Sequence, residues 1–231
     1  MLELWTWPTS NGHKIHIMVE ELGIPYKVMP VDISTGEQFL PEFLAINPNN
    51  RVPAIVDPDG PGGEPIRLFE SGAILIYLAE KHGRFIPTDA ASRYYCLQWL
   101  MFQMSAIGPM TGQYNHFHHT AKEQWDYSKE RYANEVARLY RVLEKRLSQS
   151  EYLAGDEFSI ADIATFPWMR YPDRRGLSFD MFPSIKRWFD AIESRPGVQR
   201  GFQVIGDHPP QITLTDAERD VMFGKLQFQP R

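Results

Sequence analysis

The hydrophobic pattern changes period near residue 85, and that change limits the possible folds more than any other feature of the chain. Before it, residues 2–5, 26–31, 52–56 and 66–69 form short apolar runs, partly alternating, that read as strands. Between them, residues 14–22 place Ile15, Met18, Val19 and Leu22 on one helical face, and Gly23 follows as a stop. Residues 39–46 fit a short helix ended by Asn47 and Pro48. From Ser71, the residues Ile74, Leu75, Tyr77 and Leu78 mark a helix that stops near Gly83. Residues 58–65, rich in Pro and Gly, read as a hairpin loop. This order implies an α/β unit. Residues 84–90, with Pro87 inside, read as a linker. Beyond them strand signals nearly vanish, and residues 91–107, 122–147, 160–171 and 185–192 read as helices. Ser159 followed by Asp162 has the spacing of a capping box. The expected organisation is an α/β domain over 1–85, an all-α domain over 90–205, and an extension over 206–231 with one short helix at 216–223.

Bulk properties exclude several functions. A net charge of −5 leaves little to neutralise a row of phosphates, so nucleic acid is not an expected partner. No apolar run approaches the ~18 residues of a membrane span. The N-terminus lacks a basic start followed by an apolar core, so no secretory signal is expected. The single cysteine, Cys96, permits no intramolecular disulfide and no CxxC pair, which suits a reducing cytoplasm.

Three short segments carry candidate chemistry. In Asn50-Arg51-Val52-Pro53-Ala54, a cis bond before Pro53 would turn the Val52 N–H and C=O outward for an extended peptide. The alternative is a proline that only shapes a turn. In Phe69-Glu70-Ser71-Gly72, Ser71 at a helix N-cap would leave a positive end suited to a carboxylate, and Glu70 would accept an ammonium. An ordinary capped helix is the alternative. In Thr9-Ser10-Asn11-Gly12, hydroxyl and amide donors at a helix start would stabilise a thiolate, or Thr9 or Ser10 would simply cap. A free thiol with a pKa near ~8.5 is only about 3% ionised at pH 7, and lowering that pKa by roughly two units takes about 2.7 kcal/mol. One hydroxyl hydrogen bond and a helix end are of that order. Together the segments provide for a peptide backbone, a carboxylate with an amine, and a thiol. Glutathione has all three.

At this point the chain resembles a known family. Val52-Pro53-Ala54, Glu70-Ser71 and Ser159-Ile160-Ala161-Asp162 resemble the glutathione transferase pattern in order and spacing. Pro8-Thr9-Ser10-Asn11-Gly12-His13-Lys14, Gln38-Phe39, Asn47-Pro48-Asn49-Asn50 and Phe69-Glu70-Ser71-Gly72-Ala73-Ile74 resemble its bacterial nu class, glutathione-using disulfide-bond reductases. The resemblance covers residues 1 to about 200. It implies an α/β N-terminal thioredoxin-like domain and an all-α C-terminal helical domain, with glutathione as co-substrate and no metal. It also implies that Thr9 and Asn11 lie at the glutathione sulfur, and that Gln38, Val52 and Pro53 bind the tripeptide. Glu70 and Ser71 would hold the γ-glutamyl end. Arg131 would reach a partner subunit's site in a homodimer; its alternative is a solvated helix face. Ser10 and a tail longer than the family's depart from the pattern, which leaves the second substrate open. The expected reaction is disulfide reduction by bound glutathione. The rivals are conjugation of glutathione to small electrophiles and a non-catalytic glutathione-binding module.

Other candidates read less sharply. Cys96 lies in a mostly apolar helical stretch, the setting of an inert core thiol. His116, His118 and His119 lack the i, i+4 spacing of two ligands on one helix. Tyr114, Phe117, Trp168, Arg170, Tyr171 and Arg174 are candidates for a second pocket or for ordinary core and surface.

Overall fold

Four short strands form one mixed sheet in the order β2-β1-β3-β4. β1 (Leu2–Thr6) pairs parallel with β2 (Tyr26–Pro30) and antiparallel with β3 (Ala54–Asp57), and β3 pairs antiparallel with β4 (Ile66–Phe69). The parallel pair requires a crossover, supplied by α1 (Ser10–Leu22), which Gly23 closes in the left-handed conformation. The short helix α2 (Pro41–Leu44) precedes β3, and α3 (Ser71–His82) follows β4. This computed structural model describes residues 1–206 and 214–229. Part of the expected 206–231 extension, residues 207–213 and 230–231, thus lies outside the described residues.

The second half is helical. It contains α4 (Ala90–Phe102), α5 (Gly108–Asn115), α6 (Asp126–Leu147), α7 (Ile160–Met169), α8 (Pro183–Glu193), α9 (Pro196–Gln203) and α10 (Asp216–Phe223). The helix expected over 91–107 is α4 continued by a wide π-helical turn, Gln103–Ile107, and α5 runs on directly. A second wide turn, His116–Thr120, ends that rod. α9 was not expected from the sequence. It packs against α1, where an added Cβ on Gly201 would lie 2.9 Å from the Ile17 backbone.

One buried cluster runs through both halves. It joins Leu4 and Ile15 to Leu75 and Leu78, and continues through Leu100 and Leu143 to Ile163, Phe166 and Trp188. α1 packs on α3, α7 and α9, so the sheet domain's first helix is also a core helix of the helical half.

The pivot of that half is Asp162, which is inaccessible to solvent. The expected capping box is present, with both Ser159 and Asp162 in their reciprocal roles. Asp162 also accepts from Leu153 N–H at 2.9 Å and from Trp188 Nε1 at 2.8 Å. Burial pushes its carboxyl pKa up, while these donors pull it down. Replacing it with alanine leaves buried donors unpaired. Asp162→Ala is expected to lower stability by about 3 kcal/mol, and Asp162→Asn by less, in urea unfolding curves.

Candidate active site

Strand register gathers the three candidate segments at one edge of the sheet. Trp5 lies opposite Ala54, and Ala54 lies opposite Phe69. The chain leaving β1 toward Thr9, the chain entering β3 through Val52-Pro53, and the chain leaving β4 into Glu70-Ser71 therefore share that edge. Thr6 is paired with Pro30, so the loop after β2, which carries Gln38, starts there too.

At the first turn, Thr9 Oγ1 accepts the Gly12 N–H at 3.0 Å and caps α1. A hydroxyl that accepts in this way still has its own O–H to donate. Gly12 is required for this packing, because an added Cβ would overlap the Trp7 carbonyl oxygen. Asn11 Oδ1 accepts from Trp168 Nε1 at 3.1 Å. Only the amide oxygen can take an indole N–H, so the amide nitrogen remains as a donor. The sequence gave no sign of this contact, which joins α1 to the last turn of α7.

Val52-Pro53 is a cis peptide. The loop before it is fixed by Asn47, whose side chain donates to the Arg51 carbonyl at 2.5 Å and accepts from Asn49 N–H at 2.9 Å. Gln38 is turned inward and only 2% exposed. Its Nε2 donates to the Ile33 carbonyl at 3.2 Å, and its Oε1 is buried without a hydrogen-bond partner.

The start of α3 differs from expectation. The N-cap is Glu70, not Ser71, and Glu70 makes no side-chain capping bond. It has a φ of 70°, in the left-handed region that side chains rarely adopt. Ser71 is therefore the first helical residue, and its hydroxyl accepts from Lys14 Nζ at 3.2 Å. The helix end, with no side-chain cap, still presents N–H groups suited to an anion. Glu70 is exposed beside it.

Two buried bases on α1 stand behind this edge. Burial pulls the Lys14 pKa down to about 7 and the His16 pKa down to about 4. His16 Nε2 pairs with Thr6 Oγ1 at 2.9 Å. Lys14 carried no signal in the sequence, since a lysine near a helix start is ordinarily solvated.

The remaining candidates disperse. Cys96 is buried, and burial pushes its thiol pKa up. His118 stacks on Tyr114 and its Nδ1 lies 3.0 Å from the Tyr114 carbonyl, while His119 Nε2 lies 3.2 Å from the Arg174 carbonyl. Among the described residues no three His, Cys, Asp or Glu side chains form a metal-binding group. The proposed second-pocket residues do not form a single wall. Phe117 stacks on Tyr132, Arg170 lies over Phe202, Arg174 lies over Tyr171, and Trp168 serves Asn11. Arg131 is exposed on α6, where its charge acts on Glu135. A crevice lies under α10, lined in part by His116, Phe117, Trp125, Arg219 and Phe223. α10 is tied there by Arg219 Nε to the Thr120 carbonyl at 2.9 Å, and the chain beyond it reaches the β3 loop through Gln227 and Asn50 at 3.4 Å.

A thioredoxin-like sheet domain joined to a helical domain, with these segments at its edge, defines a glutathione transferase architecture. The chain belongs to the glutathione S-transferase family: the N-terminal domain model matches residues 1–80 and the C-terminal domain model residues 104–196. It is 49% identical over 197 residues to the disulfide-bond oxidoreductase YfcG of Escherichia coli (strain K12), covering 85% of this chain and 92% of that protein. A glutathione transferase from Burkholderia graminis, solved with two glutathione molecules per subunit, matches with a TM-score of 0.84 and 48% identity, over 88% of each chain. One from Pseudomonas putida, solved with one glutathione disulfide per subunit, matches with a TM-score of 0.84 and 46% identity, over 89% of this chain and 92% of that one.

His16 gives a pH test of the site's scaffold. Its pKa in the folded protein lies below the ordinary histidine value, so between about pH 6.5 and 4 the unfolded chain binds more protons. Stability therefore falls as pH drops through that window. The wild-type protein is expected to lose up to about 3 kcal/mol more than His16→Gln between pH 7 and 4, read from paired denaturant titrations.

Proposed function

We propose that this protein is a glutathione-dependent disulfide-bond oxidoreductase of the nu-class type, in which bound glutathione supplies the reacting sulfur. The observation that carries this reading is the first turn of α1. It offers a hydroxyl and an amide donor but no thiol, and the chain's only cysteine is buried elsewhere. Thiol chemistry at this edge therefore needs a sulfur brought by the ligand. The similarity to a disulfide-bond oxidoreductase and to structures holding glutathione or its disulfide supports that choice.

In this reading the Thr9 hydroxyl and the Asn11 amide donate to the glutathione sulfur and favour its thiolate. The Val52 backbone, next to Pro53, pairs with the cysteinyl unit. The bare N-terminus of α3 and Ser71 take the γ-glutamyl carboxylate, and Glu70 takes its ammonium. Gln38 serves the glycyl end through its unpaired Oε1. The thiolate attacks one sulfur of a disulfide, forming a mixed disulfide and expelling the other sulfur as a thiolate. A second glutathione thiolate attacks the mixed disulfide and releases the remaining thiol. The balance is two glutathiones and one disulfide in, one glutathione disulfide and two thiols out. The protein itself is not oxidised.

A homodimer completes the proposal, with Arg131 reaching the partner subunit's ligand. Tyr94, Tyr95 and Met101 on α4 and Tyr127 on α6 are exposed and offer apolar area for that contact. No helix of the described residues is long and apolar enough to cross a membrane, and a cytoplasmic location suits the lone reduced cysteine.

Parallel assays with a model disulfide and a model aryl halide test the reading. Disulfide reduction is expected to dominate, and conjugation outpacing it by a wide margin would overturn the assignment. Thr9→Ala is expected to lower kcat/KM for the disulfide about 10- to 100-fold, the loss typical of one donor to a developing or resident anion. Cys96→Ala should leave the rate unchanged.

A further inference from the structure

Lys14 is a buried cation whose counter-charge is not in contact with it. It is 1% exposed, and its ammonium meets three neutral acceptors from other elements. These are Gln103 Oε1 at 2.6 Å, Ser71 Oγ at 3.2 Å and Met104 Sδ at 3.3 Å. A thioether is a weak acceptor, so one N–H is poorly served. Packing alone would be met by leucine or methionine, and a buried charge ordinarily stands against an opposite one. The ammonium instead backs the Ser71 hydroxyl at the start of α3. By occupying the oxygen lone pair, it leaves the Ser71 O–H to point elsewhere; the acceptor present is the same Met104 sulfur, at a long 3.7 Å.

We propose that Lys14 is the positioning cation of the γ-glutamyl subsite: it sets the Ser71 O–H toward the ligand carboxylate and takes up a proton when glutathione binds. The proposal rests on the glutathione reading above. In the free protein, burial holds the ammonium down to about 7, with Glu70 pulling the other way. A carboxylate on Ser71 adds negative charge close by and favours the protonated form.

Other charges near Lys14 are already engaged or distant in sequence. On α1 itself, His16 is held neutral by burial, and His13 packs on His16 and Phe202. The wide turn Gln103–Ile107 has no ionisable side chain. On α7, Asp162 is bound to Ser159, Leu153 and Trp188. On α9, Arg200 pairs with Glu20. On α3, Glu80 pairs with Arg93 and Lys81 with Asp57, while His82 ends the helix. Glu70 is thus the charge that acts directly on Lys14.

The test uses S-methylglutathione, which has no thiol to titrate. Calorimetric titrations of the wild-type protein at pH 7.5, in two buffers of different ionisation enthalpy, count the protons exchanged. Uptake of about half a proton or more per ligand is expected, with Kd rising up to roughly tenfold per pH unit above neutrality. Lys14→Met should bind more weakly at pH 6.5, with near-zero uptake and a flat Kd between pH 6.5 and 8.5. Tight binding by the wild type without proton uptake, or equal uptake in Lys14→Met, would overturn the proposal. Should Lys14→Met not fold, the wild-type count decides alone. Failure of the wild type to bind at millimolar ligand would instead remove the glutathione reading, and this inference with it.

Discussion

The helical half depends on one carboxylate. Asp162 gathers donors from the loop after α6, from its own cap at Ser159, and from Trp188 on α8. A buried carboxylate is costly unless every lone pair is used, and here the cost is offset by donors from three separate segments. This fixes where α7 begins. Because α7 packs on α1, it also fixes where α7 ends, and its final turn carries the indole that grips Asn11. A capping interaction at one end of a helix thus sets an amide at the other end, in another domain.

The site follows from the same division of labour. The sheet brings chain ends together by register, and the helical half supplies the side chains that orient what those ends carry. Trp168 determines which atom of Asn11 is left for a ligand. Lys14, Gln103 and Met104 determine how Ser71 is held. The exposed surface of the groove is small and polar, but its geometry is enforced by groups that solvent does not reach.

The local parts of this arrangement were legible in the sequence. Thr9-Ser10-Asn11-Gly12, Val52-Pro53 and Glu70-Ser71 are short, and their chemistry is set by neighbours within a few residues. The Ser159–Asp162 box was readable for the same reason. Its other donors were not, because Leu153 and Trp188 approach only through tertiary packing. The Asn11–Trp168 bond spans 157 positions and has no spacing rule. Ser71 was read as the cap of α3, but the cap falls on Glu70, whose positive φ no local residue preference announces. α9 escaped notice because Gly197 and Gly201 weaken helix propensity. Those glycines are there for contact: a side chain at either would collide with Glu21 or Ile17 of α1.

The wide turn at Gln103–Ile107 has a consequence for how this chain can change. A π-helical turn holds one residue more than an ordinary turn, so it rotates everything after it by about 100° relative to an unbroken α-helix. That offset is what lets α4 present Cys96 and Leu100 to the core while Gln103 and Met104 reach Lys14 and Ser71. Deleting a single residue there would restore regular winding and swing the whole of α5 onto a different face. Gly108 and Gly112, which make room for the Trp168 ring, would no longer lie beneath it. Lineages carrying this site should therefore tolerate substitution in that stretch far better than any change in its length.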